Sequence, residues 1–162
     1  MLKVLVSVVA MWCALHSELT IAQVPVQAAV DQDRLLTSPD AKVAANKRLV
    51  YDFWREVFEG GHMEFAEKYM AETYIQHNPM VPTGRAAFME FFSKVAKPKP
   101  IEPKIKGPLV NIVGEGDYVV LSFAREYSEP SDPTKKYTST WFDMFRIENG
   151  KIAEHWDNAV KR

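Results

Sequence analysis

The stretch Phe142-Asp143-Met144-Phe145-Arg146-Ile147-Glu148-Asn149-Gly150-Lys151-Ile152-Ala153-Glu154-His155-Trp156-Asp157 decides how this chain folds. Asn-Gly between two runs rich in aromatic and aliphatic residues is a strong short-range signal for a two-residue β-hairpin turn. Such a turn fixes the register. Glu148 is expected opposite Lys151, Ile147 opposite Ile152, Phe145 opposite Glu154, Asp143 opposite Trp156 and Trp141 opposite Asn158. Side chains alternate along a strand. One face of the hairpin then carries Trp141, Asp143, Phe145, Ile147, Ile152, Glu154, Trp156 and Asn158, an aromatic surface with a carboxylate in its middle. The other carries Phe142, Met144, Arg146, Ala153, His155 and Asp157.

Working back towards the N-terminus, the period stays at two. Strands are expected at 109–114, 118–128, 137–148 and 151–158, with Gly114-Glu115-Gly116-Asp117 as a second hairpin turn and a longer proline-bearing loop at 128–136. The segment 97–108 carries four prolines and four lysines, which excludes a helix or a central strand. Before it the period becomes helical. Ser38-Pro39-Asp40 reads as a helix start, with Ser38 as the cap, and Val43, Val50, Phe53, Trp54, Val57 and Phe58 share one helical face as far as Gly60-Gly61. A short second helix is expected at 62–70. A third follows Thr83, presenting Phe88, Phe91, Phe92 and Val95. Helices first and an antiparallel meander after them is an α+β arrangement, three helices packed on one face of a curved sheet.

The N-terminus reads as an export signal. Lys3 precedes an apolar run from Val4 to Leu15, and Thr20-Ile21-Ala22 offers small residues for cleavage after Ala22. A second possible cut follows Ala28, and the competing reading of the run is a buried N-terminal helix. The domain organisation expected is a signal peptide at 1–22, a flexible leader at 23–40 and one domain at 41–160. The mature form is expected in the periplasm or outside the cell, without a membrane span. Cys13 lies inside the apolar run, so cleavage leaves no cysteine for a disulfide, a thiol nucleophile or a thiolate metal site.

Twenty Lys plus Arg against 21 Asp plus Glu give a formal net charge of -1, with no basic block, so nucleic acid is not an expected partner. The seven glycines form no phosphate-cradling motif. His62, His77 and His155 show no ligand-pair spacing, and His155 with Asp157 on one strand face gives two ligands at most, so no metal is expected.

Asp143 is the leading candidate for chemistry. A carboxylate among aromatic side chains costs free energy to hold ionised without a partner, and an acid so placed can pass protons to and from a bound molecule. The competing reading is structural, with Asp143 bonded to a tyrosine, Trp156 or a backbone group. Tyr74-Ile75-Gln76-His77-Asn78-Pro79 forms a second constellation, at the joint between the second and third helices. There His77 is either a proton carrier or a loop-satisfying side chain, and Asn78 before Pro79 also fits ordinary turn chemistry. Tyr51, Trp54, Tyr74, Trp141 and Trp156 are the aromatic candidates for lining a ligand pocket, although the helix stripe of Tyr51 and Trp54 equally fits a core.

The hairpin stretch resembles the C-terminal signature of SnoaL-like proteins, in the nuclear transport factor 2-like superfamily. Tyr74 to Pro79 is similar to the family's other signature, and Tyr51-Asp52-Phe53-Trp54 and Gly114 to Asp117 match in position. The resemblance covers about residues 41–158. It implies a cone-shaped α+β barrel enclosing a pocket, and sheets that pair into a homodimer. It also implies cofactor-free acid/base chemistry, an aldol-type cyclisation or isomerisation, on a small hydrophobic carbonyl compound. Asp143 matches the acid/base aspartate of the family's polyketide cyclases, and His77 and Asn78 match residues that orient substrate carbonyls. Those cyclases carry a further pocket histidine on the strand before the aspartate strand. Here that strand, Val119 to Tyr127, holds none, and Arg125 or Tyr127 stands in its place. The alternative function is a non-catalytic binder of a small apolar ligand.

Overall fold

The computed structural model describes residues 23–161; the expected signal peptide lies outside the described residues. The final hairpin forms around Asn149 and Gly150, whose φ angles of 51° and 71° are both positive, as a two-residue turn matched to strand twist requires. It joins β4 (Lys136–Glu148) to β5 (Lys151–Asp157). β2 (Leu109–Glu115) and β3 (Tyr118–Ser128) complete the antiparallel meander.

The register starts as expected, Glu148 opposite Lys151 and Ile147 opposite Ile152, and then slips by one. Ala153 is an extra residue on β5, a β-bulge, so Arg146 faces Glu154, Phe145 faces His155 and Asp143 faces Asp157. The assignment of faces made from strict alternation is therefore corrected beyond Ile152. Glu154 and Trp156 move to the side of Arg146 and Met144. His155 and Asp157 move to the side of Asp143.

A strand not foreseen in the sequence joins the sheet. Met70–Gln76 is β1, and it pairs parallel to β5, giving the order β1-β5-β4-β3-β2 in one open sheet of five strands. The sheet is curved, and helices pack on its concave side. α1 (Gln32–Leu35) precedes α2 (Ala41–Phe53), which runs on into a wider π-helical turn, Trp54–Glu59. A 3-10 turn, Met63–Phe65, leads into α3 (Ala66–Tyr69), and α4 is Arg85–Ser93. Asp40, not Ser38, caps α2, its carboxylate accepting from the backbone N–H of Lys42 at 2.8 Å and of Val43 at 3.2 Å.

The core lies between helices and concave face. Phe53 of α2 is its centre, with the rings of Tyr69, Phe88 and Phe145 each about 6 Å away, centroid to centroid. Burying each such aromatic contributes on the order of 1.5–3 kcal/mol. Gly114 is where β2 meets α2, and a Cβ there would lie 2.9 Å from Val43 Cγ1.

Residues 23–40, expected as a loose leader, lie against the domain. Leu36 is in the core, and Gln32 accepts from the Tyr51 hydroxyl at 2.6 Å. β4 extends past the end of β5, and Gln23 covers that edge, bonded to both backbone groups of Thr138 at 2.6 and 3.0 Å. No helix of the described residues is long and apolar enough to cross a membrane.

Candidate active site

Three neighbouring strands put polar groups on one patch of the concave face. The last residues of β1 alternate, so Tyr74 and Gln76 point inwards while Ile75, and His77 just past the strand end, point outwards. Asp143 comes from the middle of β4, and the bulge at Ala153 turns His155 and Asp157 of β5 towards it. These groups sit in the wall of a cavity of about 410 Å³, otherwise lined largely by aromatic side chains including Trp54, Phe58, Phe88 and Trp141. The π-helical turn carries Trp54 and Phe58 into that wall, where Trp54 stacks on Phe123 at 4.6 Å.

The hydrogen bonds decide where protons are. Gln76 Oε1 accepts from the backbone N–H of Asn78 at 2.9 Å, which identifies that atom as the amide oxygen. It also lies 2.8 Å from His155 Nδ1, so Nδ1 carries a proton and donates it. The other ring nitrogen, Nε2, is 3.1 Å from Asp143 Oδ1. Only a proton can hold a ring nitrogen and a carboxyl oxygen at that distance. It resides on Nε2, giving imidazolium and carboxylate, or on Oδ1, giving neutral imidazole and carboxylic acid. In either form the pair shares one proton and is neutral as a unit.

Asp143 is 3% exposed, and its second oxygen, Oδ2, is buried without a hydrogen-bond partner. Buried polar atoms are nearly always paired, so an unpaired carboxylate oxygen in a cavity wall marks a place kept for something else. Asp157 has no such vacancy, since Oδ2 accepts from Asn78 Nδ2 at 2.7 Å and Oδ1 from the N–H of Ala159 at 2.9 Å. The Tyr74 hydroxyl accepts from Gln76 Nε2 at 2.9 Å, and among the described residues its own proton has no acceptor. Burial pushes this phenol well above its ordinary value of 10.0, and the charges of Asp157 and Asp143 push it further, so it remains a neutral donor.

One donor atom each from Asp143, His155 and Asp157 lie within 4.8 Å of one another, so three residues, not two, could hold a metal ion. The structure thus brings together Asp143, Asn78, Tyr74, Trp54 and Trp141 of the residues expected from sequence. It does not bring His77, Trp156 or Tyr51 to the cavity wall. His77 stacks on Trp156 across the outer face, centroids 5.0 Å apart, and bonds to Glu154 at 2.8 Å. The physical reasons are the alternation of β1 and the bulge of β5. Tyr51 instead ties α1 to the proline-rich segment 97–108, its hydroxyl accepting from the N–H of Ile105 at 3.2 Å. Sequence reasoning missed Gln76 and His155. Gln76 was readable from the Tyr74-x-Gln76-x-Asn78 alternation; His155 was hidden by the bulge.

Among curated proteins none matches the chain. Solved structures of similar fold include a nuclear transport factor 2-like protein from Anabaena variabilis, 17% identical over 78% of this chain and 95% of that one, with a TM-score of 0.53. Another is a candidate polyketide cyclase from Acidithiobacillus ferrooxidans, 20% identical over 75% of this chain and 89% of that one, TM-score 0.51. A third, from Mesorhizobium loti, is a nuclear transport factor 2-like protein of unknown function, 18% identical over 74% and 94%, TM-score 0.50. At such identities the likeness is one of fold. The SnoaL-like domain model matches residues 50–155, from the last turn of α2 to the histidine of the candidate pair, and the chain belongs to the SnoaL-like family.

Proposed function

We propose that this chain is an enzyme that moves a proton on a small hydrophobic carbonyl compound, with Asp143 as the acid/base, in an aldol-type cyclisation or an isomerisation. The observation that carries this reading is the buried, unpartnered Oδ2 of Asp143 in the wall of an aromatic cavity. With the shared proton on His155 Nε2, Asp143 is a carboxylate whose Oδ2 takes a proton from the carbon beside the carbonyl. The C–H electron pair moves into the new C=C bond of an enolate, and the carbonyl oxygen takes the charge. The Tyr74 O–H, free of other acceptors among the described residues, donates a hydrogen bond to that oxygen. In a cyclisation the enolate carbon attacks a second carbonyl of the same molecule, and the alkoxide formed recovers the proton from Asp143. Asn78, fixed by Asp157, positions the substrate. The name of the Acidithiobacillus structure agrees with a reaction of this class.

The same cavity also suits a non-catalytic binder of a small apolar ligand, because aromatic rings form most of its wall. Exchange of the α-protons of 2-tetralone in D2O separates the two readings. The acid/base reading expects exchange about 10²–10⁴-fold faster with the protein than without it, falling to background in Asp143→Asn. Saturable binding of the ketone by both proteins, with background exchange in both, leaves the binder.

We further propose that the chain is exported, on the strength of Lys3 and the apolar run from Val4 to Leu15. A homodimer through the outer face of the sheet is part of the same proposal. Phe142 and Tyr118 are 49% and 45% exposed there, beside Trp156, an apolar surface that a second copy would cover.

A further inference from the structure

Arg125 takes no part in the chemistry above, yet it lines the cavity. It stands on β3 in the row of Leu121 and Phe123, and its guanidinium carbon lies 3.8 Å from the centroid of the Trp141 ring. Arg55, Arg85 and Arg146 each hold carboxylates, Asp52 and Glu56, Glu67, and Glu148 and Glu154 respectively. Arg125 differs. Among the described residues no carboxylate pairs with it and no group hydrogen-bonds to it, so its five N–H donors face the cavity mouth and solvent. Stacking on Trp141 leaves the in-plane edges of the guanidinium open, and those edges match a carboxylate.

Arg125 is a cation of the cavity wall without a carboxylate partner among the described residues, which supports a ligand with an acidic end. The Asp143–His155 pair with its single proton is neutral, and Asp157 is already satisfied by Asn78 and Ala159. Arg125 is then the one fixed cation of the wall among the described residues. Asp143 pairs with Leu121, Trp141 with Phe123, and Arg125 comes two residues later. The acid and the cation are therefore separated by about 7–13 Å along the strands, the lower figure applying to a guanidinium folded back over Trp141.

We propose that Arg125 recognises a carboxylate, so that the ligand of this cavity is an aromatic or alicyclic acid whose ionised end sits at Arg125 and whose body reaches Asp143. The clause about Asp143 rests on the acid/base reading; the acid preference does not, because binding alone measures it. The test is calorimetric titration at pH 7 and low salt with 2-naphthylacetate and, separately, its neutral amide. The wild-type protein binds the acid at least about ten-fold more tightly than the amide, the effect of one charge-assisted hydrogen-bonded pair. Arg125→Gln loses that preference at an unchanged melting temperature, since the side chain is exposed, and Arg125→Lys keeps part of it. Equal affinities in the wild type, no binding of either compound, or a preference that survives Arg125→Gln each overturn the proposal. Ketone exchange lost with the acid preference intact overturns the acid/base reading alone.

Discussion

At the scale of single residues, Gln76 sets the chemistry of a side chain on another strand. By offering an oxygen to His155 Nδ1 it fixes the tautomer, which leaves Nε2 to share its proton with Asp143. Metal-ligand and catalytic histidines are oriented in the same way, through the nitrogen they do not use. The outer face has its own network, with a structural role. His77 and Arg146 both hydrogen-bond to Glu154, at 2.8 Å each, and hold its carboxyl below the ordinary value of 4.5. A carboxyl lowered by folding stabilises the native state above its unfolded value and stops doing so as the pH falls through its folded one. Wild type is therefore expected to exceed Glu154→Gln in stability at pH 7 by about 1 kcal/mol or less, with the gap closing below about pH 4.5. Thermal melts of the two proteins from pH 7 to 3 check this, and a gap that widens in acid contradicts it.

At the scale of elements, one inserted residue decides which face carries the site. The Asn149-Gly150 turn and the strands around it were legible because turn chemistry and alternation are local signals. The bulge at Ala153 was not, because Ala153-Glu154-His155-Trp156 alternates acceptably in either register. Burial decides between them: the slipped register keeps Glu154 beside Arg146, where strict pairing would set it against Phe145. β1 was missed for a related reason. Its burial is broken by Glu72 and Thr73, both exposed, and its partner is β5, 79 to 82 residues away in parallel register. Parallel pairing at that distance leaves no local trace. The sequence therefore pointed to Asp143, Asn78 and Tyr74 and to the fold around them, while the partner of Asp143 depended on a bulge and a strand that only tertiary packing reveals.

At the scale of the whole molecule, the open curved sheet has two unlike faces. The concave face holds the cavity, and the convex face exposes Phe142, Tyr118 and the His77–Trp156 stack. The two remaining proposals meet in one preparation. Expressed from the full-length sequence, the protein is expected in the exported fraction with a chain starting at Gln23 and a light-scattering mass twice that of one chain. An uncut chain contradicts export, and a monomeric mass at micromolar concentration contradicts the dimer.

The single proton shared by Asp143 and His155 sets the chemistry of the site, and nitrogen NMR of the His155 ring reads it directly. Nδ1 is expected to carry a proton and donate it to Gln76 Oε1. Replacing Gln76 by Leu should release that constraint. A neutral His155 with its proton on Nε2 and a bare Nδ1 would contradict the account, because Asp143 would then be a plain acceptor and the pair would share nothing.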